Sequence, residues 1–132
     1  MRAYATNSAG TAYGNETSFT SAEQVIDIDG NVYNVVTIGT QDWLVENLKV
    51  THYRNGDPIP NVTSAGDWEL LSTGAYCNYD NLLSNGTTYG RLYNWYAVSD
   101  NRKIAPAGWH VPNDAEWNVL INFLGGVNIA GG

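Results

Sequence analysis

Short stretches of the chain alternate between apolar and polar residues, a pattern that predicts β-strands with one buried face. The clearest case is residues 25–38, where runs of Val, Ile and Tyr flank Asp29-Gly30. Asp-Gly between such runs is a strong hairpin signal, because both residues tolerate a positive φ. With a two-residue turn at this point, one face of the hairpin carries Ile26, Ile28, Tyr33 and Val35.

The middle of the chain is expected to contain short elements and one longer loop. Further strands are predicted at residues 43–45, 75–79 and 109–111. Residues 80–88 are expected to form a loop. A short helix is predicted over residues 90–98, since apolar side chains recur there at i, i+3 and i+4. The members of this apolar face are Leu92, Trp95 and Tyr96.

A second helix, over residues 114–124, has clear start and end signals. Asn113 can accept from the backbone N–H of Glu116, whose carboxylate can accept from the N–H of Asn113, which makes a capping box. Gly125 follows the last apolar residue, where glycine often ends a helix. Asn113, Glu116 and Trp117 are therefore landmarks of the fold. The predicted apolar face consists of Trp117, Leu120, Ile121 and Leu124.

The N-terminal residues 1–22 are expected to be a separate unit. Residues 2–6 alternate, residues 7–10 suit a turn and residues 17–20 alternate again, which predicts a β-hairpin. The sequence RAYATNSAGTAYGNETSFTS resembles the last two strands of a fibronectin type III domain. We therefore divide the chain into the tail of a fibronectin type III-like domain at 1–22 and a larger domain at 24–132.

Composition and charge exclude several classes of function. The net charge is −7 and only six residues are Lys or Arg, which argues against nucleic acid and anionic membranes as partners. No apolar run approaches the ~20 residues of a membrane span, so no membrane insertion is expected. Cys77 is the single cysteine, so no disulfide can form within the chain. Few Lys and many Asn, Thr, Gly and aromatic residues are typical of exported bacterial surface modules.

Residues 24–126 resemble the Fibrobacter succinogenes major paralogous domain. Five sequence segments carry the resemblance in order: DIDGNVYNVVTIGTQDWLVENLK (27–49), NGDPIPNVT (55–63), TGAYCNYDN (73–81), TYGRLYNWYAV (88–98) and GWHVPNDAEWNVLINFLGG (108–126). The family occurs in Bacteroidetes and Fibrobacteres and is typically exported, so the resemblance implies an extracellular or cell-surface location. The signal peptide for export is expected outside this chain.

The chain departs from the family pattern in two ways. Where the family has Cys-Pro before its Gly-Trp-His, this chain has Ala105-Pro106, so a disulfide from that position is absent. Family members also continue past the Gly-Gly of residues 125–126 with an aromatic-rich part. The resemblance therefore implies that the domain at 24–132 is truncated at its C-terminus.

A second resemblance concerns the segments WHVPNDAEW (109–117) and LYNWYAV (92–98). They are similar to LPTEAEWE and YCNWL of the formylglycine-generating sulfatase activators, whose fold is C-type-lectin-like. The resemblance implies an α+β fold of irregular antiparallel sheets with two short helices, here preceded by the N-terminal β-hairpin. The catalytic cysteines of those enzymes have no counterpart, because Cys77 is the single cysteine.

The acidic loop at residues 27–31 invites a calcium interpretation, because Asp27, Asp29 and Asn31 offer oxygen ligands. However, Gly30 comes one position too early for an EF-hand loop, and Ile38 occupies the position of its bidentate Glu. We interpret the loop as a turn. No metal or other cofactor is therefore expected.

No residue is assigned a catalytic role. His52 and His110 are the only imidazoles and do not form an HxH or HExxH motif, so His110 is interpreted as a hydrogen-bonded structural residue. Asp114 and Glu116 lie in the first turn of the predicted helix, where carboxylates favour the helix dipole. Cys77 is expected to be a small buried hydrophobic residue.

Aromatic residues are the candidate ligand-binding groups. Trp68, Tyr76, Tyr79 and Tyr89 flank predicted loops, where rings could stack on sugar faces while neighbouring Asn and Asp bind hydroxyls. Packing in the core is the alternative interpretation of the same residues. The tryptophans expected to face the core are Trp43, Trp95, Trp109 and Trp117.

The sequence therefore favours a non-enzymatic extracellular module that binds glycan or protein at a bacterial cell surface. The alternative is a structural subunit of a surface fibre or adhesin stalk, assembled by strand addition. In that case the chain would form a homo-oligomer or a polymer.

Overall fold

The computed structural model describes residues 4–7, 10–13 and 23–130. Within them the fold is α+β, with short helices and antiparallel strands, as predicted. The strands are β1 (Tyr4–Asn7), β2 (Gly10–Tyr13), β3 (Gln24–Ile26), β4 (Val32–Ile38), β5 (Gln41–Leu44), β6 (Tyr76–Cys77) and β7 (Leu92–Tyr93). The α-helices are α1 (Ala65–Glu69), α2 (Leu83–Tyr89), α3 (Trp95–Val98) and α4 (Asp114–Phe123).

A β-hairpin forms at the N-terminus, but its second strand is closer to the first than predicted. β1 pairs with β2 in antiparallel fashion, with Tyr4 opposite Tyr13 and Asn7 opposite Gly10. The alternating residues 17–20, predicted to supply the second strand, lie outside the described residues.

The larger sheet has the order β3-β4-β5, and its first hairpin differs in register from the prediction. Ile26 pairs with Val32, so the connection is a five-residue loop rather than a two-residue turn. As a result Tyr33 is fully buried, whereas Ile26 and Ile28 are 65% and 54% exposed. The predicted shared face was therefore wrong. The cause is Asp27, whose Oδ1 accepts from the N–H groups of Asp29 and Asn31 and closes a wider loop.

The core lies beneath irregular segments rather than beneath a large sheet. Its buried cluster includes two tyrosines and three aliphatic residues together with Ala97. These residues come from many short elements, including the paired strands β6 and β7, in which Tyr76 lies opposite Tyr93. The members are Val50, Tyr53, Ile59, Tyr76, Ala97 and Ile104.

Residues 79–98 differ from the prediction in two ways. The predicted loop contains a short 3-10 helix at Tyr79–Asn81, followed by α2. The predicted helix over 90–98 is instead strand β7 followed by α3. The reason is Asn94, whose Oδ1 accepts from the N–H groups of Ala75 and Ala97 and so starts the helix late. Trp95 consequently faces solvent and is 73% exposed, so its core assignment was wrong.

Helix α4 and its capping box are confirmed. The Asn113 Oδ1 accepts from the Glu116 N–H at 3.1 Å, and the Glu116 Oε2 accepts from the Asn113 N–H at 2.9 Å. The predicted burial of its apolar face is wrong, because α4 contains no buried residue and Trp117 is 47% exposed. Residues 109–111, predicted as a strand, are irregular.

Replacing Asn113 with alanine is expected to lower the free energy of unfolding by about 1 kcal/mol, because the first turn loses its side-chain acceptor. Urea denaturation monitored by circular dichroism measures the change. The matched control is Asn122→Ala, an exposed position inside α4, where alanine should be neutral or stabilising. Equal losses in both variants would contradict a capping role for Asn113.

Candidate functional site

A groove of about 570 Å³ runs between β5 with the residues after it and the segment 105–117. Three tryptophans line it, Trp43, Trp109 and Trp117, and we call it the tryptophan groove. Its polar lining includes amides, carboxylates and an imidazole. These residues are Gln41, Asp42, Glu46, Asn47, His110 and Glu116.

Trp43 and Trp117 form one wall of the tryptophan groove. Their ring centroids lie 5.0 Å apart with the planes tilted by 46°, a favourable geometry for aromatic pairs. Trp43 is held by β5, and Trp117 lies in the first turn of the capped helix α4. The Gln41 Nε2 donates to the Glu116 backbone oxygen at 3.2 Å and joins the two elements.

Arg54 fixes the loop that carries Trp109. Its Nη2 donates to the backbone oxygens of Ala105, Pro106 and Trp109 at 2.7–2.8 Å, and its Nε donates to Ala105 at 3.0 Å. Hydrogen bonds from a charged donor are about twice as strong as neutral ones. The loop that begins at Ala105-Pro106 is therefore held by a guanidinium.

His110 and Glu116 form a hydrogen-bonded pair at the edge of the tryptophan groove. The His110 Nε2 lies 2.7 Å from the Glu116 Oε1, and the other carboxylate oxygen accepts the capping bond. The backbone N–H of Asn113 and then the His110 imidazole lower the pKa of Glu116 below its ordinary value. His110 is thus hydrogen-bonded, as predicted. Glu116 caps helix α4 and also lines the tryptophan groove.

Lowering the pH is expected to remove the stabilisation that the Glu116 carboxylate provides. Because its folded pKa lies below the unfolded one, that stability is fully present above the ordinary glutamate range and is lost as pH falls through the folded pKa. Glu116→Gln should flatten the acid side of a plot of melting temperature against pH. Glu69→Gln, at an exposed position of α1, should leave the curve unchanged. An unchanged curve for Glu116→Gln would contradict this role.

Two polar atoms in the wall of the tryptophan groove lack a hydrogen-bond partner among the described residues. They are the indole Nε1 of Trp43, a donor, and the Oε1 of Gln41, an acceptor. A buried polar group without a partner costs about 1–3 kcal/mol.

The residues predicted from the sequence to bind ligand are divided by the structure. Trp68 and Tyr79 meet in a second groove of about 430 Å³, beside Cys77 and Leu92. Tyr76 is only 9% exposed in the core, so its ring is not available to a ligand and we remove it from the candidates. Tyr89 is 62% exposed but lines neither groove.

The residues of the tryptophan groove were not among the ligand-binding residues predicted from the sequence. Trp43, Trp109 and Trp117 were assigned to the core, whereas they are partly exposed and meet in the groove. A signal was present for one of them: Trp109 stands between Gly108, whose φ is +84°, and Pro112. Both flanking residues favour a loop over a strand.

The acidic loop at 27–31 is organised by hydrogen bonds to Asp27. Its carboxylate accepts four bonds, from two backbone N–H groups, the Asn31 amide and the Tyr33 hydroxyl. Gly30 adopts the positive φ of +80° that the turn requires. In the described part of the chain, no three His, Cys, Asp or Glu side chains converge as a metal site would require.

Chelator is expected to leave the melting temperature unchanged, because the oxygens of Asp27 already have protein donors. Differential scanning calorimetry with and without EDTA, and then with millimolar Ca²⁺, checks this. Binding of Ca²⁺ at 100 times its dissociation constant would add ~2.7 kcal/mol. A stabilisation of that size would contradict the interpretation as a turn.

His52 and Cys77 lie outside the tryptophan groove. The His52 Nδ1 lies 2.6 Å from the Asp29 Oδ1, and the second oxygen of Asp29 accepts from the N–H and hydroxyl of Thr51. This contact ties the loop at 27–31 to the segment at 51–52. Cys77 is half-buried, and burial raises the pKa of its thiol.

The chain is thus a small α+β module with a groove lined by three tryptophans. The family model described as the Fibrobacter succinogenes major domain matches residues 36–130, and the chain belongs to this family. The match starts within β4, later than the residue 24 inferred from the sequence. Comparison with curated proteins and with solved structures finds no significant match. The longest described helix has 10 residues, too few to cross a bilayer.

Proposed function

We propose that this chain is a non-enzymatic extracellular module that binds glycan at a bacterial cell surface, with the tryptophan groove as its site. The observation that carries the proposal is the meeting of Trp43, Trp109 and Trp117 beside amides and carboxylates in one groove. Aromatic rings can stack on the apolar faces of sugars, while convergent polar groups bind hydroxyls. The architecture we propose is C-type-lectin-like, preceded by the tail of a fibronectin type III-like domain.

The fixed geometry of the groove also supports binding. Arg54 holds the backbone that carries Trp109, and the capping box holds the turn that carries Trp117. A site that is ordered before binding loses less conformational entropy when the ligand arrives. The tryptophan groove is larger than the second groove and has three tryptophans where that one has Trp68 alone. We therefore favour it over the residues chosen from the sequence.

The two glutamates of the groove support a binding role rather than glycosidase chemistry. A glycosidase needs a general acid with a raised pKa beside a second carboxyl group. Hydrogen bonds from Asn34 lower the pKa of Glu46, and those from Asn113 and His110 lower the pKa of Glu116. Both groups are thus kept ionised and committed to structural bonds.

A glycan array followed by tryptophan fluorescence titration tests the proposal. The protein should bind a subset of neutral oligosaccharides, and bound sugar should change the emission of the groove tryptophans. Trp68→Ala, which alters only the second groove, should keep the affinity. Loss of binding in Trp68→Ala would move the site to the second groove, and an array without any bound sugar would contradict glycan binding.

The second candidate function is a structural subunit of a surface fibre or adhesin stalk, assembled by strand addition. The observation that favours it is the exposed apolar surface of α4, where Phe123 is 62% and Leu124 47% exposed. β3 is in addition an edge strand of the three-stranded sheet. Light scattering should then report a dimer or polymer, and deletion of residues 1–22 should weaken it. A parent chain that stays monomeric at high concentration would contradict assembly.

A further inference from the structure

We propose that the tryptophan groove selects sugars that carry a protonated amine over sugars that carry a carboxylate. This inference rests on the proposed glycan binding at the same site. It goes further by naming the charge class of the ligand, which follows from the charges and the aromatic rings that line the groove.

The charged groups of the groove are nearly all acidic. Asp42, Glu46 and Glu116 line it, and within the described part of the chain its lining contains no Lys or Arg. His110 is the one basic group of that lining and is hydrogen-bonded to Glu116. Asp42 is an exposed residue. Among the described residues, its Oδ1 accepts a hydrogen bond only from the Thr37 hydroxyl. Among the described residues no cation pairs with this carboxylate.

The neighbouring cations lie outside the lining of the groove. Arg54 binds the backbone oxygens of the loop at 105–109 and does not line the groove. Lys49 lies close enough to help lower the pKa of Glu46, but it also stays outside the lining. The chain as a whole carries a net charge of −7, which adds a long-range field of the same sign.

The tryptophans of the groove also favour a cationic sugar over an anionic one. The face of an indole ring is electron-rich, so it attracts a cation lying within ~6 Å of its centroid and repels an anion. Trp is the best of the aromatic side chains for this contact. A sugar amine stacked in the groove would thus meet both ring faces and carboxylates, whereas a uronic acid would meet repulsion from both.

A matched set of oligosaccharides separates charge from shape. Pentasaccharides of β-1,4-linked glucose, mannose and galactose are each prepared in three forms, which differ only at C6: the parent hydroxymethyl, the primary amine and the carboxylate. Affinities are measured at neutral pH by fluorescence titration. For any of the three oligosaccharides that binds, the amine form should bind at least about tenfold more tightly than the carboxylate form. This is the change expected for one favourable and one unfavourable charge contact. Added salt should reduce the difference.

Variants of two aspartates locate the selectivity. Asp42→Asn keeps an acceptor for Thr37 and removes one groove charge, so the amine-to-carboxylate ratio should fall several-fold. Asp67→Asn removes the same charge from α1, outside both grooves, and should leave the ratio unchanged. Equal effects of the two variants, or a carboxylate form that binds as well as the amine, would overturn the selectivity while glycan binding stands. If no backbone binds in any form, glycan binding itself fails.

Discussion

Replacing Tyr33 with alanine is expected to lower the free energy of unfolding by about 3–5 kcal/mol, the usual cost of removing a buried aromatic ring. Tyr33 has no exposed surface. Its hydroxyl donates to the Asp27 Oδ2 at 2.6 Å and accepts from the Lys49 N–H at 2.9 Å. The residue therefore links the loop at 27–31 to the irregular segment that enters the core at Val50.

Urea denaturation of three variants separates the parts of this effect. Tyr33→Phe keeps the ring and leaves the Lys49 N–H without its acceptor, so it should cost about 1–3 kcal/mol. Tyr79→Ala removes a ring that is 59% exposed and should change stability by less than about 1 kcal/mol. If Tyr33→Ala lowers the free energy of unfolding no more than Tyr79→Ala does, the stability of the fold does not depend on Tyr33.

Replacing Trp109 with alanine is expected to weaken glycan binding by about 2 kcal/mol or more, roughly 30-fold, as for a central aromatic contact. Trp109 lines the same groove as the Trp43–Trp117 pair and is half-buried. Arg54 binds the backbone of the loop that carries Trp109 rather than the indole, so the substitution should leave the loop in place. Stability should fall less than affinity.

The matched control is Trp95→Ala, which removes a tryptophan that is 73% exposed and lies outside both grooves. Its affinity should equal that of the parent chain in the same fluorescence titration. If Trp95→Ala loses affinity and Trp109→Ala does not, the ligand binds elsewhere on the surface.

The features that could be predicted from the sequence are those that depend on neighbouring residues. The capping box of Asn113 and Glu116 lies within four consecutive residues, and the structure confirms both of its bonds. Helix α4 starts at the predicted residue and ends one residue before the predicted end. The α+β class also follows from alternating runs mixed with short helical spacing.

The features that could not be predicted depend on side chains that bind distant or unexpected partners. Asp27 widens the first hairpin, and Asn94 delays the start of α3. Neither effect can be predicted from the spacing of apolar residues, because both depend on hydrogen bonds of polar side chains. The tryptophan groove depends on Arg54 binding a loop about 50 residues away in the chain, a contact that no local pattern encodes. Tyr76 was chosen because it flanks a loop, yet its ring is in the core.

Glycan binding in the tryptophan groove can be observed by titrating the nitrogen-15-labelled chain and following the indole N–H signals of its five tryptophans. The signals are assigned by single Trp→Phe variants. Added oligosaccharide is expected to shift the signals of Trp43, Trp109 and Trp117 and to leave those of Trp68 and Trp95 in place. Saturable shifts of Trp68 or Trp95 without shifts of the other three would contradict binding in the tryptophan groove.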